Sequence, residues 1–163
     1  MIAPLVYLAV GGPPLALAYK AINTLDSMIG HRDVRYADFG WASARLDDVA
    51  NWIPARLTAG LIVLAAGMIT GQWSRVKRSW QTLRRDGHKH SSPNSGRPEA
   101  AMAGALGIQL GGINFYDGLP HERPRIGEGA RSPILDDIDL AVRISVMTCG
   151  LGIFLAVGSL WVA

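Results

Sequence analysis

The chain has 163 residues, about one domain's worth, of which 49% are hydrophobic and only 18% charged, with 19 glycines and a mean hydropathy of +0.19. Soluble domains average about 25% charged residues, so this balance points to a membrane protein, a class in which glycine is also commoner. The basic pI, near 9.4, does not signal nucleic acid, because the basic residues bunch directly behind an apolar segment, where the positive-inside rule expects them. The single cysteine, Cys149, rules out a disulfide framework within the chain and a cysteine-spaced metal site, and reads as a small buried apolar residue.

Residues 2–18 are uncharged but interrupted by Gly11-Gly12-Pro13-Pro14. Two successive prolines stop a helix or kink it hard. The segment is therefore one kinked span, or a short membrane segment followed by a new helix from Pro14. It lacks the charged start of a secretory signal. From Pro14 to Ile29, Leu15, Tyr19, Ile22, Leu25 and Ile29 form an apolar stripe. Lys20, Asn23, Ser27 and His31 follow the same rhythm on another side, with Asp26 beside them and Gly30 as a natural stop. Residues 31–52 are polar and become helix-like in their second half. Trp41, Arg45, Asp48 and Trp52 share one face there, and Asp47 and Asn51 share the next.

Residues 53–73 form the clearest predicted span. Trp52 and Trp73 bracket it like two aromatic belts, and their separation as a helix, roughly 31 Å, matches a hydrocarbon core of about 30 Å. Residues 74–90 are basic, with Val76, Trp80 and Leu83 on one side, the pattern of a helix lying in the interface over anionic lipid, with phosphate recruitment as the functional alternative. From Ser91 a polar turn leads into a small-residue helix. Asn94 and Ser95 are its candidate caps, Pro98 and Glu99 suit its first turn, and Ala100, Ala103, Gly104, Gly107 and Gly111 make a stripe that permits close helix approach. Residues 119–139 read as a connector, and residues 144–163 as a final span. The fold class expected is thus all-α: one multi-span membrane domain with spans near 2–18, 53–73 and 144–163, and polar segments 19–52 and 86–118.

Lysine and arginine number four in residues 19–52 and ten in residues 74–142, which assigns the second stretch to the cytoplasmic side. A single crossing at 53–73 would then put residues 31–52 on the opposite side. If both polar regions build one site, the segment is re-entrant or the site lies within the bundle.

Two constellations carry chemistry. The first combines Lys20, Asn23 and Asp26 with Arg45, Asp47, Asp48 and Asn51. Carboxylates beside arginine and asparagine suit a Mg²⁺–phosphate site, the acids for the metal and the cations for phosphate oxygens. The second runs from His88-Lys89-His90 to Glu99 and includes Asn94, Ser95 and Arg97. Backbone N–H groups at a helix start, with basic side chains nearby, favour an anion. No Walker A loop and no zinc spacing is present.

Three strings carry a resemblance. They are Tyr19 to Gly30 (YKAINTLDSMIG), Asp38 to Asp48 (DFGWASARLDD) continued by Asn51 and Ile53 to Thr58, and Ser92 to Leu106 (SPNSGRPEAAMAGAL). In this order they resemble the CobD/CbiB family, the adenosylcobinamide-phosphate synthases of the cell (inner) membrane. The likeness runs over roughly residues 1–160 and falls in the C-terminal half of a longer, multi-pass protein. It implies an ATP-dependent, Mg²⁺-assisted amide formation in cobalamin biosynthesis, between a propionate of adenosylcobyric acid and aminopropanol or its phosphate. Its implied partners are the corrinoid and aminopropanol-type molecules, the bilayer, and a missing N-terminal half or further copies of the chain. In that scheme Asp47 and Asp48 hold Mg²⁺, with Asp26 as the alternative ligand. Lys20, Arg45 and Arg97 bind phosphate or propionate, Glu99 or His90 takes the amine proton, and Asn23, Asn51 and Asn94, with Ser95, orient substrate. The competing readings are a non-enzymatic membrane sensor on the same fold or an inactive fragment, with a transporter third.

Overall fold

The computed structural model describes residues 2–29, 37–116, 118–127 and 129–161. Gly30 and His31, read above as the stop and the polar side of the first helix, lie outside them, as do Arg32 and Arg35 of the charge count. The elements run α1 (Ile2–Ile29), α2 (Ala37–Ala50), α3 (Trp52–Thr70), α4 (Trp73–Asp86), α5 (Gly96–Leu106), β1 (Leu110–Tyr116), β2 (Leu119–Ile126) and α6 (Asp136–Leu160). Three helices are long and apolar enough to cross a membrane: Ile2–Ile29, Trp52–Thr70 and Asp136–Ser159. The protein is the mostly helical membrane protein its composition predicts. It also carries one element the sequence reading passes over, a two-stranded antiparallel hairpin.

The Gly-Gly-Pro-Pro string bends α1 sharply. Gly11 and Gly12 leave helical geometry, and Gly12 sits at φ 65°, ψ −164°, a region only glycine enters at little cost. Tyr7 and Tyr19 stack with ring centroids 4.9 Å apart. On a straight helix twelve residues rise about 18 Å, so the two arms fold back on each other. Ile2 and Ala3 therefore line the same cavity as Tyr19 and Asn23. Residues 2–10, about 14 Å long as a helix, are too short to cross a bilayer core alone.

Helix α3 ends at Gly71, whose N–H returns to Gly67 O at 2.8 Å. Helix α4 then doubles back along it. Val76 meets Gly67 near the turn, and one α-turn after another later Trp80, Leu83 and Arg84 face Ala59 and Gly60. This antiparallel pair returns the chain to the end of α3 from which it started. Both polar regions consequently lie at that same end, which removes the opposite-side arrangement a single crossing would impose.

Helix α4 is not simply a basic helix over lipid. Arg75 Nη1 donates to Ala105 O at 3.0 Å, and Arg78 Nε donates to Gly104 O at 2.8 Å. Both satisfy carbonyls orphaned at the C-terminus of α5. Fully buried Ser79 donates to Ala101 O at 2.7 Å. The small-residue stripe allows this closeness: a Cβ on Gly104 would stand 2.7 Å from Arg78 O and Ser79 Cα. The stripe is shorter than expected, because α5 ends at Leu106 and Gly111 belongs to β1. Alanines of α3 and α5, with Leu83, Ile108, Ile126 and Ile144, make the main core.

Asp86 clamps the hairpin to this core. Its fully buried carboxylate accepts from Arg85 Nη2 at 2.8 Å, Lys89 Nζ at 2.9 Å and Gly127 N at 2.8 Å. The Arg85 hydrogen bond first, then those from Lys89 and Gly127, outweigh burial and hold its pKa well below the ordinary carboxylate range. Where α6 begins, Asp137 pairs with Arg131 at 2.6 Å and accepts Ile134 N at 2.9 Å, fastening the incoming loop.

Candidate functional site

A cavity of 420 Å³ opens where α1, α2, α3, α6 and the turn before α5 meet. Pro54, Ala55, Ile62 and Pro98 give it an apolar surface, while Tyr19, Asn23, Asp47, Asn51, Ser92, Asn94, Ser95, Ser145 and Thr148 give it polar groups. A concave site that combines an apolar surface with converging polar groups suits a small molecule carrying both kinds of surface.

The polar wall is cross-braced. Asn23 Nδ2 donates to Asp47 Oδ1 at 3.2 Å. Tyr19 OH donates to Asn51 Oδ1 at 3.0 Å, and Asn51 Nδ2 donates to Asp47 O at 3.0 Å. Tyr7 OH donates to Ala50 O at 2.8 Å, so both stacked tyrosines of the bent α1 grip the α2–α3 junction. From the other side, Asn94 Nδ2 donates to Asp48 O at 2.8 Å and to Asp48 Oδ1 at 3.4 Å. The Asp47/Asp48 segment and the Asn94 turn, 46 residues apart in the chain, thus touch. Asn94 Oδ1 is buried without a hydrogen-bond partner, an uncommon state for a buried carbonyl.

Of the residues expected from sequence, Asn23, Asp47, Asn51, Asn94 and Ser95 line this cavity, and Asp48 is tied to its rim through Asn94. The rest lie elsewhere. Lys20 is exposed one residue beyond Tyr19. Arg45 is exposed and lies over the Trp41 ring, 5.7 Å from its centroid. Asp26 is outside the lining. Glu99 is exposed. His90 Nδ1 accepts the Ser92 N–H at 3.0 Å and stays within its own turn. Arg97 lines a different hollow. The expected caps are also replaced: Asn94 and Ser95 do not cap α5 with their side chains, and Ser92 Oγ instead accepts both of their N–H groups at 3.4 Å.

Of the expected Mg²⁺ ligands, Asp47 alone lines the cavity. Successive helical residues point about 100° apart, so Asp47 faces the cavity while Asp48 does not. Among the described residues no three His, Cys, Asp or Glu side chains gather as a metal group. Mg²⁺ is commonly held by one or two carboxylates together with substrate phosphates and water.

A family model described as CobD/Cbib protein matches residues 1–145. The chain belongs to the CobD/Cbib family. It is 59% identical over 128 residues to the cobalamin biosynthesis protein CobD of Geobacter metallireducens, covering 78% of this chain and 39% of that protein. It is 47% identical over 156 residues to the CobD of Clostridium perfringens, covering 96% of this chain and 49% of that one. The cobalamin biosynthesis protein CbiB of Salmonella paratyphi A is 47% identical over 159 residues, covering 96% and 49%. The chain therefore spans half or less of the length of these CobD/CbiB relatives. No solved structure matches it.

Sequence reasoning missed Tyr19, Ser145 and Thr148 as lining of this CobD/Cbib cavity, and Tyr7 as the ring that stacks on Tyr19. Tyr19 sits on what reads as an apolar stripe, and Ser145 and Thr148 are inside an apolar run. The one available signal was that hydroxyls in otherwise apolar helices need partners or a polar cavity.

Proposed function

We propose that this chain acts in cobalamin biosynthesis as the C-terminal half of a multi-pass synthase of the inner membrane. In this reading it joins an aminopropanol, or its phosphate, to a propionate carboxylate of adenosylcobyric acid. The observation that carries the proposal is a cavity in which a single carboxylate, Asp47, faces polar amides across an apolar surface, in a chain whose relatives are named for cobalamin biosynthesis. An upstream half, or a second copy, completes the enzyme.

The chemistry requires activation, because a carboxylate is a poor acyl donor. ATP, taken as its Mg²⁺ complex, is a co-substrate: the propionate oxygen takes the terminal phosphoryl group and ADP leaves. The amine nitrogen then forms the C–N bond as inorganic phosphate departs. The amine arrives as an ammonium ion, which Asp47 attracts and from which it accepts a proton, in place of the Glu99 and His90 expected from sequence. Asn51 and Asn94 orient the polar ends of the substrates, and the buried Asn94 Oδ1 accepts one of their N–H or O–H groups. Excluding water from the apolar floor protects the acyl phosphate from hydrolysis.

Co-expression of this chain with the upstream half of the Clostridium perfringens relative tests the proposal. The co-purified pair, supplied with adenosylcobyric acid, Mg-ATP and either aminopropanol or its phosphate, is expected to yield a product heavier by the amine minus one water. A stably assembled pair that makes no amide with either amine would defeat it.

A further inference from the structure

On the opposite flank of α3 a second hollow, of 390 Å³, lies between α3, α4 and the start of α5. Its charged lining is Arg56, Arg84 and Arg97, with His88 beside them and Trp80 as its aromatic wall, and it contains no carboxylate. Like charges gathered this way repel, and Arg97 is close enough for its charge to bear on Arg56. Elsewhere in the fold the arginines of α4 are used: Arg75 and Arg78 on carbonyls, Arg85 on Asp86. Here the geometry leaves groups unspent. Arg97 Nε is buried with no hydrogen-bond partner, which is costly for a donor that is always charged. Arg56 is held in place by stacking on Trp52, 3.8 Å from the ring centroid, and by donating Nη1 to Trp52 O at 2.7 Å.

We infer that this hollow binds a phosphate group through Arg56, Arg84 and Arg97. A tetrahedral dianion supplies the acceptors that the protein lacks, and guanidinium forks match phosphate oxygens in pairs. The pocket is too far round α3 to be part of the Asp47 cavity: Ala55 and Thr58 face that cavity, whereas Arg56 and Gly60 face this one. The inference therefore stands apart from the amide-forming reading. The phosphate belongs either to a soluble phosphoester or to an anionic lipid headgroup.

The experiment uses the full chain in nanodiscs and follows its thermal midpoint. In neutral phosphatidylcholine discs, inorganic phosphate is titrated against chloride at matched ionic strength. In a second arm, phosphatidylglycerol replaces part of the neutral lipid and no phosphate is added. A saturable rise in the first arm assigns a soluble source, and a rise confined to the second assigns a headgroup. In either case Arg84→Gln, an exposed change that leaves the core intact, should weaken the response about tenfold, the loss expected for one charge-assisted pair. Arg97→Lys, which keeps the charge but not the fork, should weaken it too. Asp47→Asn should respond like the wild type, which separates failure here from failure of the enzymatic reading. No rise in either arm, or unchanged responses in both arginine variants, would overturn the inference.

Discussion

Asp47 and Asp86 are both aspartates on helices, and their surroundings give them opposite uses. Asp86 is fully buried and saturated by Arg85, Lys89 and the Gly127 N–H, so it acts as a fastener. Asp47 is half-buried beside a cavity and accepts from Asn23, which leaves most of its roughly four lone-pair positions for a ligand. Because the folded state depresses the Asp86 pKa, its stabilisation is complete above the unfolded carboxylate value, near 3.9, and is lost as pH falls below it. Asp86→Asn should therefore lower stability at pH 7 by about 1–3 kcal/mol. It should also flatten the acid side of the thermal-midpoint profile between about pH 4 and pH 2 relative to wild type. An acid profile parallel to the wild type would show that Asp86 carries no such linkage. Asp47 was legible in the sequence as part of an Arg-Leu-Asp-Asp string. Asp86 was not, because its partner Gly127 lies 41 residues away and nothing local marks the contact.

At the scale of elements, α4 packs closely against α5; the small-residue stripe with Ala100, Ala103 and Gly104 announced a close helix approach, but not that α4 makes it. Gly104→Val should force the two helices apart, breaking the Ser79 and Arg78 bonds to α5 carbonyls. A cost of about 2–4 kcal/mol is expected from overpacking and the lost hydrogen bonds together, measured as a lowered unfolding midpoint in detergent. Gly104→Ala should cost less, and equal midpoints for the valine variant and wild type would refute this packing. The Gly-Gly-Pro-Pro break was equally plain, but its direction was not: a kink signal says where a helix bends and is silent on what the arms then touch. The hairpin escaped notice because Gly111 read as part of a helical small-residue stripe, and residues 119–139, with Pro120 and Pro124, as a connector. Strand pairing from Leu110 to Ile126 tolerates the glycine and the two prolines through a register shift near Gly111 and an unshared edge.

Across the whole molecule, the decisive feature is that α4 returns along α3. Counting lysines and arginines left two arrangements open, polar regions on opposite sides of a single crossing or one shared site on a re-entrant segment or within the bundle, and the antiparallel pair gathers them at one end. There the folded α1, the Asp47 segment and the Asn94 turn enclose one cavity. Charge bookkeeping could not reveal this, since part of the basic charge of α4 caps α5 instead of answering a membrane. Large side chains such as Val146, Ile153 and Phe154 on α6 are exposed, as expected of surfaces that meet lipid or a protein partner.

The most direct measurement is the rate of amide synthesis by the assembled pair carrying Asp47→Asn, beside Glu99→Gln. Loss of a positioned proton acceptor typically costs 10²–10⁴-fold, so the first variant should fall by at least about a hundredfold while the second stays within a few-fold of wild type. A folded Asp47→Asn pair that turns over at the wild-type rate would contradict the assignment of the reaction to this cavity.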